Sequence, residues 1–159
     1  MFEIKHGYET KKELGVLFEE YTNMLVQRDA RVAQYLLMQN YADELAHMDT
    51  KYGLPRGRLY IAWDGEEAAG CIALRDMGEG ICEMKRLYVR PKFRGMGISV
   101  KLIECIVRDA KEIGYQKMYL DTLAFLNEAI NLYHKMGFRE IEAYNDNPIE
   151  GSVFMELKL

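Results

Sequence analysis

The feature that most constrains this chain is a short glycine turn that joins a strand pattern directly to a helix pattern. Residues 81–89 form an apolar-rich segment typical of a long strand, and the turn after it carries Arg94, Gly95 and Gly97. A helical pattern begins at once at Ile98. A strand, a tight turn and a helix in this order present unpaired backbone N–H groups and the positive end of a helix dipole. The segment therefore predicts an anion-binding loop.

Two common phosphate-binding motifs do not match this loop. A nucleoside triphosphatase loop requires Gly-Lys-Ser/Thr, but Ile98 follows Gly97 here. A dinucleotide-binding fingerprint requires a third glycine, and Val100 stands in its place. The loop is therefore expected to hold the phosphates of another kind of ligand.

The other sequence patterns predict a chain that mixes helices and strands. Alternating apolar residues predict strands, and apolar residues spaced three and four apart predict helices. The predicted strands are 2–8, 58–63, 68–75, 81–89, 117–121, 138–143 and 152–157, and the predicted helices are 11–26, 30–48, 98–113 and 125–136. Thr10, with Glu13 three residues later, predicts a capping box at the start of the first helix.

The order of these elements predicts the fold class. A strand–helix–strand unit at 81–121 lies among hairpins, so the sheet cannot be all parallel. We expect an α/β protein of the α+β type, with a mixed, mostly antiparallel central sheet flanked by helices. No linker or repeat interrupts the pattern, which predicts a single domain over residues 1–159.

Charge and hydropathy exclude several function classes. The 159 residues carry a formal net charge of −4, which argues against nucleic acid as a partner. An anionic cofactor would instead need local cations, first Arg94 and then Arg90 or Lys92. The apolar stretches fall far short of the ~20 residues that a membrane span needs, so no membrane partner is expected. The first residues have no signal-peptide core.

Cysteine and histidine usage bears on compartment and metals. The three cysteines, Cys71, Cys82 and Cys105, are odd in number, and no two lie close in sequence. They are interpreted as reduced and mostly buried thiols, which predicts a cytoplasmic protein. The three scattered histidines show no metal-ligand spacing, so no metal site is predicted.

Two stretches between residues 81 and 138 resemble a known enzyme family. Arg94 and Gly97 match motif A of the GNAT acetyltransferases, Arg/Gln-x-x-Gly-x-Gly/Ala, although Ser99 stands where glycine or alanine is usual. The stretch Asn-x-Ala-Ile-x-Leu-Tyr-x-x-x-Gly-Phe, from residue 127 to residue 138, resembles motif B of the same family. The resemblance implies the GNAT fold and an N-acetyltransferase that uses acetyl-CoA.

The resemblance also implies which residues bind the cofactor. The backbone of the strand before the loop would pair with pantetheine, and the loop amides would hold the pyrophosphate. The implied cofactor-binding residues are Leu87, Tyr88, Val89, Arg94, Gly95, Met96, Gly97, Ile98, Ser99, Val100, Asn127 and Tyr133. For Asn127, the alternative role is that of a helix-start residue.

Two residues are implied to be catalytic. Tyr133 matches the tyrosine that protonates the departing CoA thiolate, and its alternative role is a core residue of its helix. Glu83 lies eleven residues before Arg94, the offset of the general-base glutamate in histone-acetyltransferase members of the family. The alternatives for Glu83 are a solvated face residue or an ion-pair partner.

Charged residues are unusual in a strand that is expected to be central. Strict alternation would place Glu83, Lys85 and Leu87 on one face, with Arg86 and its alternate neighbours on the other. A buried charge needs a partner or a cleft. Arg86 is therefore predicted to bind a carboxylate of the substrate, with a structural ion pair as the alternative.

The predicted reaction is acetylation of a primary amine of a small molecule, either an amino acid or a polyamine-like compound. The amine would attack the thioester directly in a ternary complex, because the cysteines lie in predicted strands and helices. A protein or peptide substrate and a non-catalytic acyl-CoA sensor are the alternatives. Substrate specificity is expected in the two N-terminal helices and the 144–150 loop. A homodimer is compatible with the resemblance.

Overall fold

The computed structural model of the protein describes residues 2–147 and 149–159. Pro148, in the loop where substrate specificity is predicted, lies outside the described residues. The strands are β1 (Glu3–His6), β2 (Arg58–Asp64), β3 (Glu67–Gly78), β4 (Ile81–Val89), β5 (Lys117–Leu123), β6 (Arg139–Ile141) and β7 (Ser152–Lys158). The helices are α1 (Lys11–Arg28), α2 (Arg31–Met38), α3 (Tyr41–Ala46), α4 (Met48–Lys51), α5 (Ile98–Ile113) and α6 (Asn127–Lys135).

The seven strands of the described residues form one mixed sheet in the order β1-β2-β3-β4-β5-β7-β6. The neighbours β4 and β5 are parallel, and the other neighbouring pairs are antiparallel. The predicted fold class is therefore confirmed. The parallel pair requires a crossover, which α5 supplies between β4 and β5.

Helices cover both faces of the sheet because each presents an apolar stripe. On one face, α5 buries residues such as Leu102 and Ile106 against the centre of the sheet. On the other face, α1 buries Leu14, Leu17 and Phe18. Each such side chain contributes about 1.5–3 kcal/mol when it is fully buried. The two clusters hold β4 between them.

The parallel strands β4 and β5 separate partway along their length. They pair only from Ile81–Lys117 to Glu83–Tyr119, although β4 continues to Val89. Beyond Glu83 the two strands no longer share a ladder, so a gap opens in the sheet. This gap lies at the end of β4 that leads into the glycine turn.

A β-bulge at Arg86 breaks the alternation of side chains in β4. Arg86 has φ +59°, in the left-handed region, and the β3–β4 register shifts opposite it. Leu87 consequently packs in the cluster beneath α5, whereas Tyr88 packs in the cluster beneath α1. The prediction that Leu87 shares a face with Lys85 is therefore wrong, because the bulge inserts an extra residue.

Two sequence-based predictions about the N-terminal helices also fail. The predicted helix 30–48 is three short helices, because Asn40 adopts φ +57° and His47 leaves the helical region. Thr10 is the N-cap residue of α1, but its side chain makes no capping hydrogen bond, so the predicted capping box is absent. Residues 31–51 are consequently built from three short helices.

No helix among the described residues is both long and apolar enough to cross a lipid bilayer. The same residues contain no cluster of three or more histidine, cysteine, aspartate or glutamate side chains that could hold a metal ion. The three cysteines are free thiols, and Cys71 and Cys82 are buried.

Candidate functional site

A cleft of about 660 Å³ runs along β4, the glycine turn and the starts of α5 and α6. It brings the two family-like motifs together, since every predicted cofactor-binding residue except Met96 lines it. Those lining residues are Leu87, Tyr88, Val89, Arg94, Gly95, Gly97, Ile98, Ser99, Val100, Asn127 and Tyr133. Met96 is instead exposed, with 45% of its surface accessible. We call this space the cofactor cleft.

The glycine turn has the backbone that an anion site requires. Gly95 and Gly97 adopt φ values of +83° and +78°, which favour glycine, and a Cβ added to either would meet open space. In the described part of the chain, none of the six consecutive amides from residue 95 to residue 100 donates a hydrogen bond. Because α5 begins at Ile98, these donors lie at the positive end of its dipole. The turn therefore fits a diphosphate group.

The positive charges around the turn are not equivalent. Arg90 pairs with Glu20 at 2.7 Å, and Lys92 pairs with Glu67 at 2.8 Å. Arg94 donates from Nε to the carbonyl oxygen of Val89 at 3.1 Å and has no carboxylate partner among the described residues. Of the three cations predicted near the turn, Arg94 is thus the one left available to an anion.

A further cation lines the cofactor cleft from α1. The guanidinium of Arg28 lies 4.5 Å from the centroid of the Phe125 ring, and both residues line the cleft. Sequence reasoning missed Arg28, because α1 is far from the motifs in sequence and carries no recognisable signal.

Tyr133 lies at the inner end of the cofactor cleft. It is 6% exposed and packs against Phe138, with 5.8 Å between the ring centroids. Its hydroxyl makes no hydrogen bond within the described residues, and it borders a second cavity as well as the cleft. Burial raises the pKa of Tyr133, so the hydroxyl stays protonated at neutral pH. Both predicted roles, core residue and proton donor, are compatible with this position.

The second cavity, the inner chamber, holds about 60 Å³ in the gap between β4 and β5. Tyr133 and Leu87 border both the chamber and the cofactor cleft. The chamber is lined by Tyr21, Leu25, Val32, Tyr35, Leu36, Gln39, Met84, Lys85, Arg86, Leu87, Leu120, Asp121, Thr122, Leu123, Leu126, Tyr133 and Asn147. The chamber and the cofactor cleft are therefore adjacent, with Tyr133 and Leu87 in the wall that they share.

On its far side the chamber meets a third space, the outer cleft, of about 570 Å³. Tyr35, Gln39 and Lys85 border both. The short helices α2 to α4 and the loop after β6 form the walls of the outer cleft. Substrate specificity is predicted in the two N-terminal helices and the 144–150 loop; α1 does not line this cleft, and the prediction stays untested.

Glu83 lies in the outer cleft and not in the chamber that contains Tyr133. It is 1% exposed, and its carboxylate accepts from Arg75 Nε at 2.6 Å and from the Tyr144 hydroxyl at 2.6 Å. The ion-pair alternative is therefore present in the structure. The role of general base stays a prediction.

Arg86 is fully engaged by protein groups. Its guanidinium donates to both carboxylate oxygens of Glu44, at 2.8 Å each, and to Gln39 at 3.1 Å. It also lies 5.3 Å from the Tyr41 ring centroid. A substrate carboxylate would have to displace Glu44, so the geometry corrects the first prediction for Arg86 and favours the structural ion pair.

Asn127 is the first residue of α6, and Leu126 is the N-cap residue. No side-chain capping bond forms at this helix start. Asn127 lines the cofactor cleft, so a contact with the cofactor stays a prediction.

Two charged residues of the chamber were not assigned a role from the sequence. In the sequence, Lys85 stands out only as a charge within a strand, and Asp121 only ends a predicted strand. A carboxylate at the carboxyl end of a parallel strand is a signal that could have marked Asp121. Nothing in the sequence shows that Tyr35 of α2 would meet it.

Comparison with known proteins agrees with the site. Residues 23–138 match the model of the family described as "Acetyltransferase (GNAT) family". An uncharacterized N-acetyltransferase of Schizosaccharomyces pombe is 44% identical over 126 residues, which cover 78% of this chain and 77% of the relative.

Solved structures share the fold over nearly the whole chain. An acetyltransferase of Streptococcus agalactiae superposes with a TM-score of 0.81 at 22% identity, covering 99% of this chain and 98% of that one. The PaiA N-acetyltransferase of Thermoplasma acidophilum, whose structure is a complex with coenzyme A, gives 0.74 at 16% identity, covering 100% and 99%. Since the family match spans most of the chain, the chain belongs to the GNAT family and is an acetyl-CoA-dependent acetyltransferase.

Proposed function

We propose that the protein transfers the acetyl group of acetyl-CoA to a primary amine of a small molecule, by direct attack within a ternary complex. The observation that carries this proposal is the shared border of the cofactor cleft and the inner chamber at Tyr133. Two ligands that enter from opposite sides of the sheet would meet at this border.

The cofactor cleft would hold acetyl-CoA, which supplies an acetyl thioester and a thiolate leaving group. We propose that the amides of residues 95–100 and the side chain of Arg94 bind the pyrophosphate. The backbone from Leu87 to Val89 does not pair with β5. Its hydrogen-bonding groups on that side are therefore available to the amides of pantetheine. Asn127 would contact the cofactor from the start of α6.

We propose that Tyr133 donates a proton to the sulfur as the carbon–sulfur bond breaks. An amine that arrives as an ammonium loses two protons: the one released after its nitrogen bonds to the acetyl carbon can return through water to the Tyr133 oxygen, and the other must leave before attack. Glu83 would accept that proton through water, because it lines the outer cleft and not the chamber. A carboxylate has about four acceptor sites, so two existing hydrogen bonds leave Glu83 room for one more.

The cysteines support direct attack. Burial raises the pKa of Cys71, and it raises the pKa of Cys82 to about 12. None of the three cysteines is among the residues that line the cofactor cleft or the chamber. An acetyl-cysteine intermediate would need a thiolate at that border.

The size of the inner chamber favours a small acceptor over a peptide. Its 60 Å³ has room for about four water molecules, which is about the size of one small amine. A peptide would have to bind along the outer cleft and send one lysine or its terminus inward.

An amine panel tests the proposal. The enzyme is incubated with acetyl-CoA and with amino acids, polyamines, aminoglycosides or short peptides, while thiol release and acetylated product are measured together. We expect thiol and N-acetylated product in equal amounts with at least one small amine. Product with peptides alone would overturn the small-molecule proposal, and binding without either product would favour the sensor alternative.

Three broader expectations accompany this proposal. We propose that residues 1–159 act as one acetyltransferase domain, since one sheet runs from β1 to β7. The cytoplasmic location stays a prediction that rests on the free cysteines. Sedimentation would decide whether the protein is a monomer or a homodimer.

A further inference from the structure

Lys85 is a buried charge without a hydrogen-bond partner. Its side chain is 7% exposed and borders both the inner chamber and the outer cleft. Within the described residues its ammonium group donates no hydrogen bond, and the nearest carboxylate oxygen belongs to Glu83 at 3.9 Å. That carboxylate already accepts from Arg75 and Tyr144. A buried ammonium with three unused donors is costly unless a ligand supplies the acceptors.

The carboxylates nearest to Lys85 form closer ion pairs with other cations. Glu44 is shared by Arg86 and Lys51, and Glu83 is shared by Arg75 and Lys85. Asp43, Asp121 and Asp146 also line these spaces, so four cations face five carboxylates. Within the described residues, Lys85 is the one of the four cations with no carboxylate oxygen within hydrogen-bond distance. An anionic group of a substrate would be attracted to its ammonium group.

Asp121 supplies the opposite charge on the neighbouring strand. Its Oδ2 atom accepts from the Tyr35 hydroxyl and from Asn145 Nδ2 at 3.1 Å. Its Oδ1 atom accepts no hydrogen bond within the described residues, so it is free to bind an ammonium group. Burial lowers the pKa of Lys85 to about 8, against the negative charges of Glu83 and, to a smaller extent, Asp121, which raise it. The two groups are near each other without forming an ion pair.

We propose that Lys85 and Asp121 together form a subsite for a zwitterionic acceptor, a small molecule that carries both an amine and a carboxylate. Lys85 would bind the carboxylate, and Oδ1 of Asp121 would bind the ammonium before its proton is lost. The inference rests on the proposed function and assigns its substrate to the amino acid class. The small chamber suits the amine, the carboxylate and the carbon between them, while a side chain would extend into the outer cleft.

The same charges disfavour a polyamine. Inside the chamber, a second ammonium group of spermidine would lie near the ammonium group of Lys85, and like charges at close range repel. The subsite therefore distinguishes between the two small-molecule classes that the sequence leaves open.

The test compares amino acids with their own carboxamides, which keep the amine and remove only the negative charge. Glycine, alanine and β-alanine are assayed beside their amides and spermidine, with kcat/KM measured for each. We expect about a 10- to 100-fold preference for the free acid, the range of a hydrogen bond to a charged group. Lys85→Met should reduce that preference to about one by raising KM for the acids.

Two further variants separate binding from folding. Lys111, which is exposed near the end of α5, gives the matched control Lys111→Met, and it should keep the wild-type preference. Asp121→Asn should raise KM for every amine to a similar extent. Affinity for acetyl-CoA should be unchanged in all three variants.

The outcomes distinguish the subsite from the proposed function. If the wild-type enzyme acetylates carboxamides or spermidine as efficiently as amino acids, the proposed subsite is wrong. This result requires no variant. An unchanged preference in Lys85→Met would overturn the role of Lys85. Acetyl-CoA binding with no acetylated amine from any panel member would overturn the proposed function itself.

Discussion

The proposed role of Tyr133 as a proton donor can be tested by removing its hydroxyl group. Its ring fills a place in the core, while its hydroxyl has no protein partner among the described residues and borders two cavities. A residue with only a packing role would not need that oxygen atom.

Tyr133→Phe should therefore lower kcat and kcat/KM together by about 10²- to 10⁴-fold, the usual contribution of general acid catalysis. Acetyl-CoA affinity and melting temperature should change little, because the ring remains. Tyr115→Phe is the matched control, since its buried hydroxyl bonds only to the carbonyl oxygen of Arg56, far from the cleft. Near-normal turnover in Tyr133→Phe would mean that another group protonates the thiolate.

The pH dependence of the same variant gives a second check. Burial raises the pKa of Tyr133, so the hydroxyl keeps its proton across the working pH range of the enzyme. The alkaline side of the rate profile should consequently have the same shape in the wild type and in Tyr133→Phe, with only the level lowered. An alkaline decline that disappears in the variant would show that Tyr133 ionises in the working range.

Glu44 links the charge network to stability. Burial raises the pKa of Glu44, but the hydrogen bonds and charges of Arg86 and Lys51 outweigh it and lower the pKa from 4.5 to about 2. Because the folded pKa lies below the unfolded one, the stabilisation is complete above about pH 4.5 and is lost as the pH falls toward 2.

Glu44→Gln should remove this contribution and leave Arg86 buried without a carboxylate. We expect the free energy of unfolding at pH 7 to fall by about 3–5 kcal/mol, as when one partner of a buried ion pair is deleted. The variant should also lose stability less steeply in acid than the wild type. Asp43→Asn is the control, since the Asp43 side chain is 69% exposed. Wild-type stability of Glu44→Gln in denaturant melts would contradict the pair's structural role.

Sequence reasoning predicted site residues only within local motifs. Gly97, Arg94 and Tyr133 all line one cleft, and their roles toward the cofactor stay predictions. The partner of Arg86 could not be predicted, since Glu44 is 42 residues away in a helix whose boundaries were wrong. Within the described residues, Lys85 donates no hydrogen bond because the nearby carboxylates pair with other cations. Those pairs form only in the folded chain, so the sequence does not show them.

The proposed binding of acetyl-CoA depends on two adjoining elements, the glycine turn and the start of α5. A ligand at ~100 times its dissociation constant adds ~2.7 kcal/mol to folding stability. Acetyl-CoA should therefore raise the melting temperature of the wild type, and Gly97→Glu should abolish that rise by placing a carboxylate among the loop amides.

A second glycine provides a control for backbone strain. Gly78 has φ +85° and open space around an added Cβ, as Gly97 does, but it lies at the far end of β3. Gly78→Glu should lower the melting temperature of the apo protein about as much as Gly97→Glu and keep the acetyl-CoA response. A normal acetyl-CoA response in Gly97→Glu would contradict the loop assignment.

The helices of the N-terminal half show why element boundaries resist prediction. Residues 30–48 have a helical pattern throughout, yet the chain turns at Asn40 in the left-handed region. Asparagine adopts that region more readily than most residues, but it is also common inside helices. Only the packing of α3 and α4 over β4, which brings Glu44 to Arg86, decides that the helix ends there.

For the whole molecule, the order of the elements predicts the mixed sheet, but it does not predict the gap between β4 and β5. The crossover through α5 requires a parallel β4–β5 pair, and hairpins account for the other neighbours. How far the parallel ladder extends depends on the bulge at Arg86 and on the packing of both faces. The gap lies between the cofactor cleft and the outer cleft, so the feature on which the proposed function rests is not visible in the order of the elements.

The central claim is that the cofactor and the amine occupy opposite sides of this gap at the same time and react directly. Initial rates measured while acetyl-CoA and the best amine are both varied test it most directly. The account predicts double-reciprocal lines that intersect, as a ternary complex requires, with one acetylated amine formed per thiol released. Parallel lines, accompanied by an acetylated form of the enzyme, would show a covalent route and contradict the account.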